Sequence, residues 1–282
     1  MDIYLLEAIL NGILLGGVLA LLALGLNLIF GVVDVVWIAY AELVMCGMYA
    51  IYWLYAFYGW PFLLACAAGI LFVAVLGVLV HLLIIEPVLG SAPINQLLAT
   101  GGLLFFLQSL ATLLFGTDFR NLGLRLPLIE IGEISISFAR LLAFAAALLG
   151  AGTLYLFLRR SFLGTAIRAI AQDRDIMGLM GVSQRRIYFT TSAIGGGLAG
   201  LASCLLVLQY DVHPFIGNSF GPITFMICVL GGNMIGGFIA AFVMSQIISI
   251  GGFYFSIEFS YVLAFLLFIV MMFVRPQGIF GR

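Results

Sequence analysis

RRSFLGTAIRAIAQDRDIMGLMGVSQRR, residues 159–186, holds six of the chain's eleven basic residues and lies between long apolar runs. Arg159, Arg160, Arg168, Arg174, Arg185 and Arg186 are balanced only by Asp173 and Asp175, which leaves a formal charge of +4. Hydrocarbon cannot accept that charge, so the stretch must stand in water between two membrane spans. Cationic loops are retained on the cytoplasmic side, so the same residues orient the chain.

Working outward, the rest of the 282 residues are 65% hydrophobic and only 8% charged. Soluble domains carry about 25% charged residues, so the chain is an integral membrane protein. Its apolar runs are continuous, whereas a barrel would alternate over segments of about ten residues. Every basic residue is arginine and none is lysine. A nucleotide-cradling Walker A loop needs a lysine, and so does a Schiff base; any ATPase driving this chain is a separate polypeptide. A net charge of -1 gives no electrostatic footprint for nucleic acid. Cys46, Cys66, Cys204 and Cys228 lie in apolar runs without CxxC spacing and read as small buried apolar groups. With His81 and His213 the only histidines, no metal site is legible. Asp2 and Glu7 stand where a secretory signal would be basic, so the first run is expected to be a retained span.

A span needs about 20 apolar residues. Eight runs qualify: 5–30, 35–57, 61–85, 94–115, 138–158, 187–210, 222–250 and 259–274. The seventh is too long for one crossing and contains Gly231-Gly232-Asn233-Met234-Ile235-Gly236-Gly237, where a re-entrant half-helix can give way to a full helix. Parity points the same way. Arg275 and Arg282 place the tail on the cytoplasmic side with residues 159–186, so an even number of crossings must separate them, yet only three runs do. Residues 116–137 carry balanced charge and alternate like a short hairpin over 126–137, which puts that loop outside. Counting back places the N-terminus outside as well. Gly12/Gly16, Gly196/Gly200 and Gly232/Gly236 allow close helix crossings, read first as packing within the chain. The expected fold is an all-α polytopic bundle of about eight spans, one domain over residues 1–282, with a broken glycine-rich segment and a cytoplasmic helix.

That helix is expected over residues 164–180, with Ile167, Ile170, Ala171, Leu179 and Met180 on an apolar face and Arg168, Gln172, Asp173 and Asp175 elsewhere. Gly181 suits its C-terminal cap, and Ser183 opens the next helix. Two readings stand: a helix lying on lipid, or a coupling element seated in a groove of a motor subunit. Asp34 and Glu42 are candidates by cost, since an intramembrane carboxylate usually faces a watery path. Eight residues apart, they would share roughly one helical face, with Trp37 and Tyr40 nearby. Asp34 can equally be an interfacial cap, and Glu86 a solvated turn residue. Asn27, Asn95, Gln96, Gln108, Gln209, Asn233 and Gln246 can hydrogen-bond between helices.

The segment Gly164-x-Ala166-x-Arg168-Ala169-x-Ala171-x-Asp173, followed by Gly181-Val182, resembles the coupling segment of permease subunits of branched-chain amino-acid ABC importers. LNGILLGGVLALLALGLNLIFG at residues 10–31 is similar to that family's opening helix, and VRPQGIFG at 274–281 to its ending. HPFIG at 213–217 and VLGG at 229–232 fit its late glycine-rich region. The chain departs from the family at residues 37–42, WIAYAE, where Asn-Phe-Ala-His-Gly-Glu is usual, and after Gly232, where Gly-Ser often follows. The resemblance implies alternating access driven by other subunits, with no cofactor in this chain and ATP and Mg on the partners. It implies a second permease chain, two cytoplasmic ATPases, an extracytoplasmic solute-binding protein, surrounding lipid, and a bacterial cytoplasmic membrane. Its relatives handle branched-chain amino acids but also urea, short amides and small acids, which leaves the solute open. Coupling is expected at Gly164, Ile167, Arg168, Ala171, Asp173, Leu179 and Gly181, with Ile167, Ala171 and Leu179 making the contact. The pathway is expected at Asn27, Asp34, Trp37, Tyr40, Glu42, Asn95, Gln96 and Asn233. Two alternatives are a secondary transporter or channel relaying ions through Asp34 and Glu42, and a membrane enzyme. Against the second stands the lack of a clustered His, Cys and carboxylate constellation.

Overall fold

The computed structural model describes residues 3–124, 127–131, 134–275 and 278. Arg125, Glu133, Arg282 and most of the 274–281 motif lie outside the described residues. Among the described residues six helices are long and apolar enough to cross a membrane, and two shorter apolar helices, Gly217–Gly231 and Glu258–Val274, accompany them.

Helix α1 (Ile3–Val33) is central: 83% of its apolar window is buried, against 22% for α6 (Phe138–Arg160). Around it pack α9 (Gln184–Leu206), α10 (Gly217–Gly231) and α11 (Met234–Tyr254). Beyond these lie α2 (Tyr40–Tyr52), α3 (Phe62–Val80), α5 (Pro93–Phe115) and α12 (Ile257–Val274). A short α4 (Glu86–Val88) continues α3 through a π-helical turn, His81–Ile85, and a second such turn, Trp53–Phe57, extends α2. A π-turn inside a long helix shifts its face by one residue.

Contacts sort the helix ends into two sets. Gln246 and Ser249 near the end of α11 hydrogen-bond Ile9 and Ala8 near the start of α1. Arg140, at the start of α6, donates to Asn11. At the opposite end Asp34 pairs with Arg174 and Glu86 with Arg185. The arginine-rich segment lies at this second end, the one that the positive-inside rule expects to be inner, and the start of α1 lies at the opposite, expected outer end.

The 222–250 run breaks where its glycines stand. Gly232 adopts φ 67°, Asn233 caps α11 by accepting from the Gly236 amide, and α10 and α11 lie against each other. Four helices, α9 to α12, therefore separate the arginine-rich segment from the tail, of which α9 and α11 are long and apolar enough to cross a membrane. The break falls within residues 231–237 as expected, but the helix before it starts earlier, at Gly217 rather than Pro222. Two expectations are corrected. Residues 35–57 are not one helix: 34–39 are non-helical, and α2 starts only at Tyr40. Residues 164–180 form two helices, α7 (Phe162–Gln172) and α8 (Arg174–Leu179), broken at Asp173 where φ is -153°.

The outer loop does form a hairpin, β1 (Leu128–Ile131) against β2 (Ile134–Ser137), with Leu128 opposite Ser137. The pairs Gly12/Gly16 and Gly196/Gly200 are spent within the chain. A Cβ on Gly196 would stand 2.7 Å from the Val73 carbonyl oxygen and 3.1 Å from the Ala74 Cα, so glycine there lets α3 and α9 touch backbone to backbone.

Candidate functional site: a buried carboxylate in a membrane cavity

The cavity begins with the way α1 ends. The Asp34 amide bonds the Phe30 carbonyl at 2.9 Å, and Asp34 then takes φ 59°, a left-handed cap that turns the chain out of the helix. The next five residues run non-helically into the bundle with alternating sides. Val35, Trp37 and Ala39 are buried in the core at 0–1% exposure, whereas Val36 and Ile38 line a cavity. Backbone freed from helical bonding inside a membrane needs partners, and the Thr100 hydroxyl supplies one by donating to the Val36 carbonyl at 2.9 Å.

The cavity holds about 250 Å³ and lies between residues 36–42, α5 and the first turns of α10. Its walls are apolar, with Leu97, Leu104 and Phe225 prominent. Glu42 and Asn218 are the exceptions, and Glu42 is the charged one. It is 1% exposed, and its Oε1 accepts from Gln108 Nε2 at 2.9 Å. The same Gln108 nitrogen donates to Asn218 Oδ1 at 2.8 Å, which commits both amide hydrogens. The other Glu42 oxygen, Oε2, is buried with no hydrogen-bond partner. Gly217 opens α10 directly against this carboxylate, and a Cβ there would collide with it. The α10 N-terminus thus brings its partial positive charge beside Glu42. One donor and one helix end do not satisfy an ionised carboxylate in a low-dielectric site. The group calls for a proton or a cationic donor from within the cavity.

Toward the outside the site is capped. Arg120 and Val212 exchange backbone hydrogen bonds of 3.0 and 2.7 Å, and Asn121 donates to Asp211 at 2.7 Å. The Arg120 guanidinium sits 5.9 Å from the Tyr52 ring centroid and 5.7 Å from that of Trp53, stitching the cap to the end of α2. Within the cap the His213 ring lies tilted against Phe119, centroids 4.6 Å apart; burial lowers its pKa, partly offset by Asp211. Toward the inside, the lining reaches Leu97 on the first turns of α5.

Of the eight residues expected on the pathway, only Glu42 lines this cavity. Asp34 does not share a helical face with it, because the non-helical segment separates them; Asp34 is at the inner surface, 3.3 Å from Arg174. Tyr40 donates to the Gly195 carbonyl at 2.9 Å and packs on Gly25, tying α2 to α9 and α1. Trp37 meets Tyr40 edge-on at 6.0 Å, on the core side of the extended segment. Asn27 accepts from the Cys228 thiol and holds α1 to α10. Gln96 bonds the Ser91 carbonyl in the turn before α5, Asn95 is exposed beside it, and Asn233 is the α11 cap. Gln108 was legible only as one amide among seven. Asn218 carried no signal beyond its place after the HPFIG stretch.

At the inner end, Ser161 caps α7 by accepting from the Gly164 amide at 2.8 Å, and Gly164 abuts the Leu158 backbone. The expected contact face is divided, with Ala171 and Met180 exposed but Ile167 buried. Ile167 and Ile170 are 1% exposed and packed into the bundle, since the membrane helices offer the nearest apolar surface. Phe162, Thr165, Arg168 and Ala171 are exposed instead, with Phe162 at 86%. Asp173 ends α7, and Gly181 turns the chain after α8 at φ 80°. The Leu179 side chain lies outside the described residues. Among the described residues no three His, Cys, Asp or Glu side chains gather to hold a metal.

A family described as branched-chain amino acid transport system, permease component, matches residues 8–272. The chain is 31% identical to the high-affinity branched-chain amino acid transport system permease protein BraD of Pseudomonas aeruginosa, over 98% of this chain and 96% of that one. It is 28% identical to the corresponding protein LivH of Escherichia coli K12, over 99% and 96%. A solved structure, PsaBC from Streptococcus pneumoniae in complex with Fab, is similar at TM-score 0.49 and 13% identity, covering 96% of this chain and 92% of that one.

Proposed function

This chain belongs to the family of permease components of branched-chain amino acid transport systems, a membrane subunit and not an enzyme, and on that premise we propose that its Glu42 cavity is a solute station on the translocation pathway. The observation that carries the reading is the unpartnered Glu42 oxygen in a chamber whose other lining side chains, Asn218 apart, are apolar. A solute with a protonated amine and an aliphatic body would complete both. The ammonium would supply the donor that Oε2 lacks, while Val36, Ile38, Leu104 and Phe225 would take the side chain. Branched-chain amino acids fit this description; urea, amides and carboxylic acids lack the cation.

Without a lysine the chain holds no Walker A loop, so separate ATPases supply the work. They would bear on the exposed face of α7 that includes Phe162, Arg168 and Ala171. A second permease, identical or homologous, would complete the pathway, two ATPases would sit on the cytoplasmic side, and an extracytoplasmic protein would deliver solute through the membrane of a bacterial-type cell. The site itself needs only different affinities in its two open states. A carboxylate relay is poorly supported, since Asp34 is paired at the surface, away from Glu42.

The test is uptake by the assembled complex in proteoliposomes. A branched-chain amino acid should be accumulated in an ATP-dependent manner, and the same carbon skeleton without its amine should neither enter nor compete. Equal transport of both would overturn the assignment of Glu42, and uptake without ATPase subunits would overturn the importer.

A further inference from the structure

The ion pair between Asp34 and Arg174 joins the two functional regions. Arg174 opens α8 one residue past the break that ends α7, so it stands at the joint of the cytoplasmic segment. Asp34 stands at the joint between α1 and the extended residues that line the cavity. The two meet at 3.3 Å across 140 residues of chain. We infer that Asp34 and Arg174 are positioning residues, a link through which movement of the cytoplasmic segment swings residues 34–39 and reshapes the Glu42 cavity. This rests on the importer reading.

Asp34 is the only non-glycine among the described residues with positive φ. Left-handed backbone disfavours most L-residues, but aspartate and asparagine enter it as single residues, which suits a pivot. The extended segment has unequal anchors. Its far end is fixed by Tyr40, bonded to Gly195, and its middle by Thr100 on the Val36 carbonyl. Its near end carries a side-chain tie to the cytoplasmic segment through Asp34. Displacing Arg174 therefore pulls on the near end while the far end stays, and the residues between are Val36 and Ile38 of the cavity wall.

The cytoplasmic side of the link is itself held. Gln184 donates to the Arg174 carbonyl at 2.7 Å, tying α8 to the start of α9, and Arg185 next to it pairs with Glu86 at 2.7 Å. The Asp34–Arg174 pair is solvent-facing, with side chains 65% and 37% exposed. Exposed pairs add little to stability. One that bridges a loop joint and a membrane break is better placed to be made and broken between states than to hold the fold.

The experiment is a double-mutant cycle on the assembled importer in proteoliposomes, reading solute accumulated per ATP hydrolysed. Asp34→Asn keeps a residue that tolerates the left-handed backbone and removes the charge; Arg174→Gln removes the partner. Each should lower the ratio by about fivefold, the upper scale of one exposed pair, with ATP hydrolysis retained. The double variant should lose no more than either single, and raising salt should depress the wild-type ratio but not that of Asp34→Asn. Wild-type ratios in both single variants, or losses that multiply in the double, would overturn the link. A wild-type complex without ATP-dependent uptake would overturn the importer reading, and the link with it.

Discussion

Replacing Glu42 by glutamine preserves the side chain's shape and separates its two roles, solute contact and buried burden. The Glu42→Gln carbonyl can still accept from Gln108, which donates to Glu42 Oε1 at 2.9 Å in the wild type. What disappears is the charge on an oxygen that has no partner in the closed cavity. A hydrogen bond to a charged group is worth about 1.5–3 kcal/mol, so losing it from the transported solute's amine should cut uptake at low solute concentration by about 10- to 100-fold. Stability should move the other way. Leaving a charged group under-satisfied costs at least about 1–3 kcal/mol, and relief of even 1 kcal/mol raises Tm by about 2–4 °C in a chain of this size. The assay is paired: initial uptake rate in proteoliposomes, and thermal unfolding of the purified permease in detergent. The expected signature is slower uptake from a protein at least as stable as the wild type. Unchanged uptake would remove Glu42 from the pathway, and a lower Tm would mean that its charge is already satisfied within the fold.

Other predictions address packing, coupling and the outer cap. Gly196→Ala should lower Tm by several degrees, reflecting about 1–3 kcal/mol of overpacking, because the new Cβ meets the Val73 and Ala74 backbone. Gly197→Ala is the control: its Cβ would meet only the Ala74 Cβ at 4.0 Å, so it should be neutral or stabilising by up to about 1 kcal/mol from helix propensity. Equal melting of the two would refute the close crossing. Arg168→Glu, on the exposed face of α7, should leave membrane insertion intact and reduce solute moved per ATP by several fold; a normal ratio would remove that face from coupling. His213 has its pKa lowered by burial, so the unfolded cap binds more protons than the folded one. Its contribution is complete above the ordinary histidine value of about 6.5 and is lost as pH falls through the lowered value. Protection factors at residues 116–124, corrected for the intrinsic pH dependence of amide exchange, should therefore fall on acidification, and His213→Gln should flatten that dependence.

The amphipathic cytoplasmic segment shows how far sequence reading reaches. Its position, its charge and the turn at Gly181 follow from local chemistry, and the chain obeys them, whereas the Ser161 cap is visible only in the structure. Which side of α7 faces outward does not follow from local chemistry. Ile167 and Ile170 suit a partner's groove as well as the permease's own core, and only the neighbouring ends of the bundle claim them for the core. The cavity behaves similarly. Glu42 stood out by its cost in a membrane, but Gln108 and Asn218 lie 66 and 176 positions away along the chain, and no local pattern joins them.

The sequence by itself determined that this is a helical membrane protein, where its charge is concentrated, where the glycine-rich run must break, and that it has no lysine for a Walker A loop. Each of these rests on charge, length or backbone freedom, quantities that a residue carries wherever it is placed. Tertiary structure alone decided that residues 34–39 enter the bundle unwound, that Tyr40 is a tie rather than a lining residue, and that Asp34 meets Arg174 instead of Glu42. The physical reason is the solvent. In water an apolar stripe marks the inner face of a helix; in hydrocarbon, lipid and protein are equally apolar. Hydrophobic patterning then says that a segment is in the membrane but not which way it faces, and packing, hydrogen bonds and two ion pairs supply the difference.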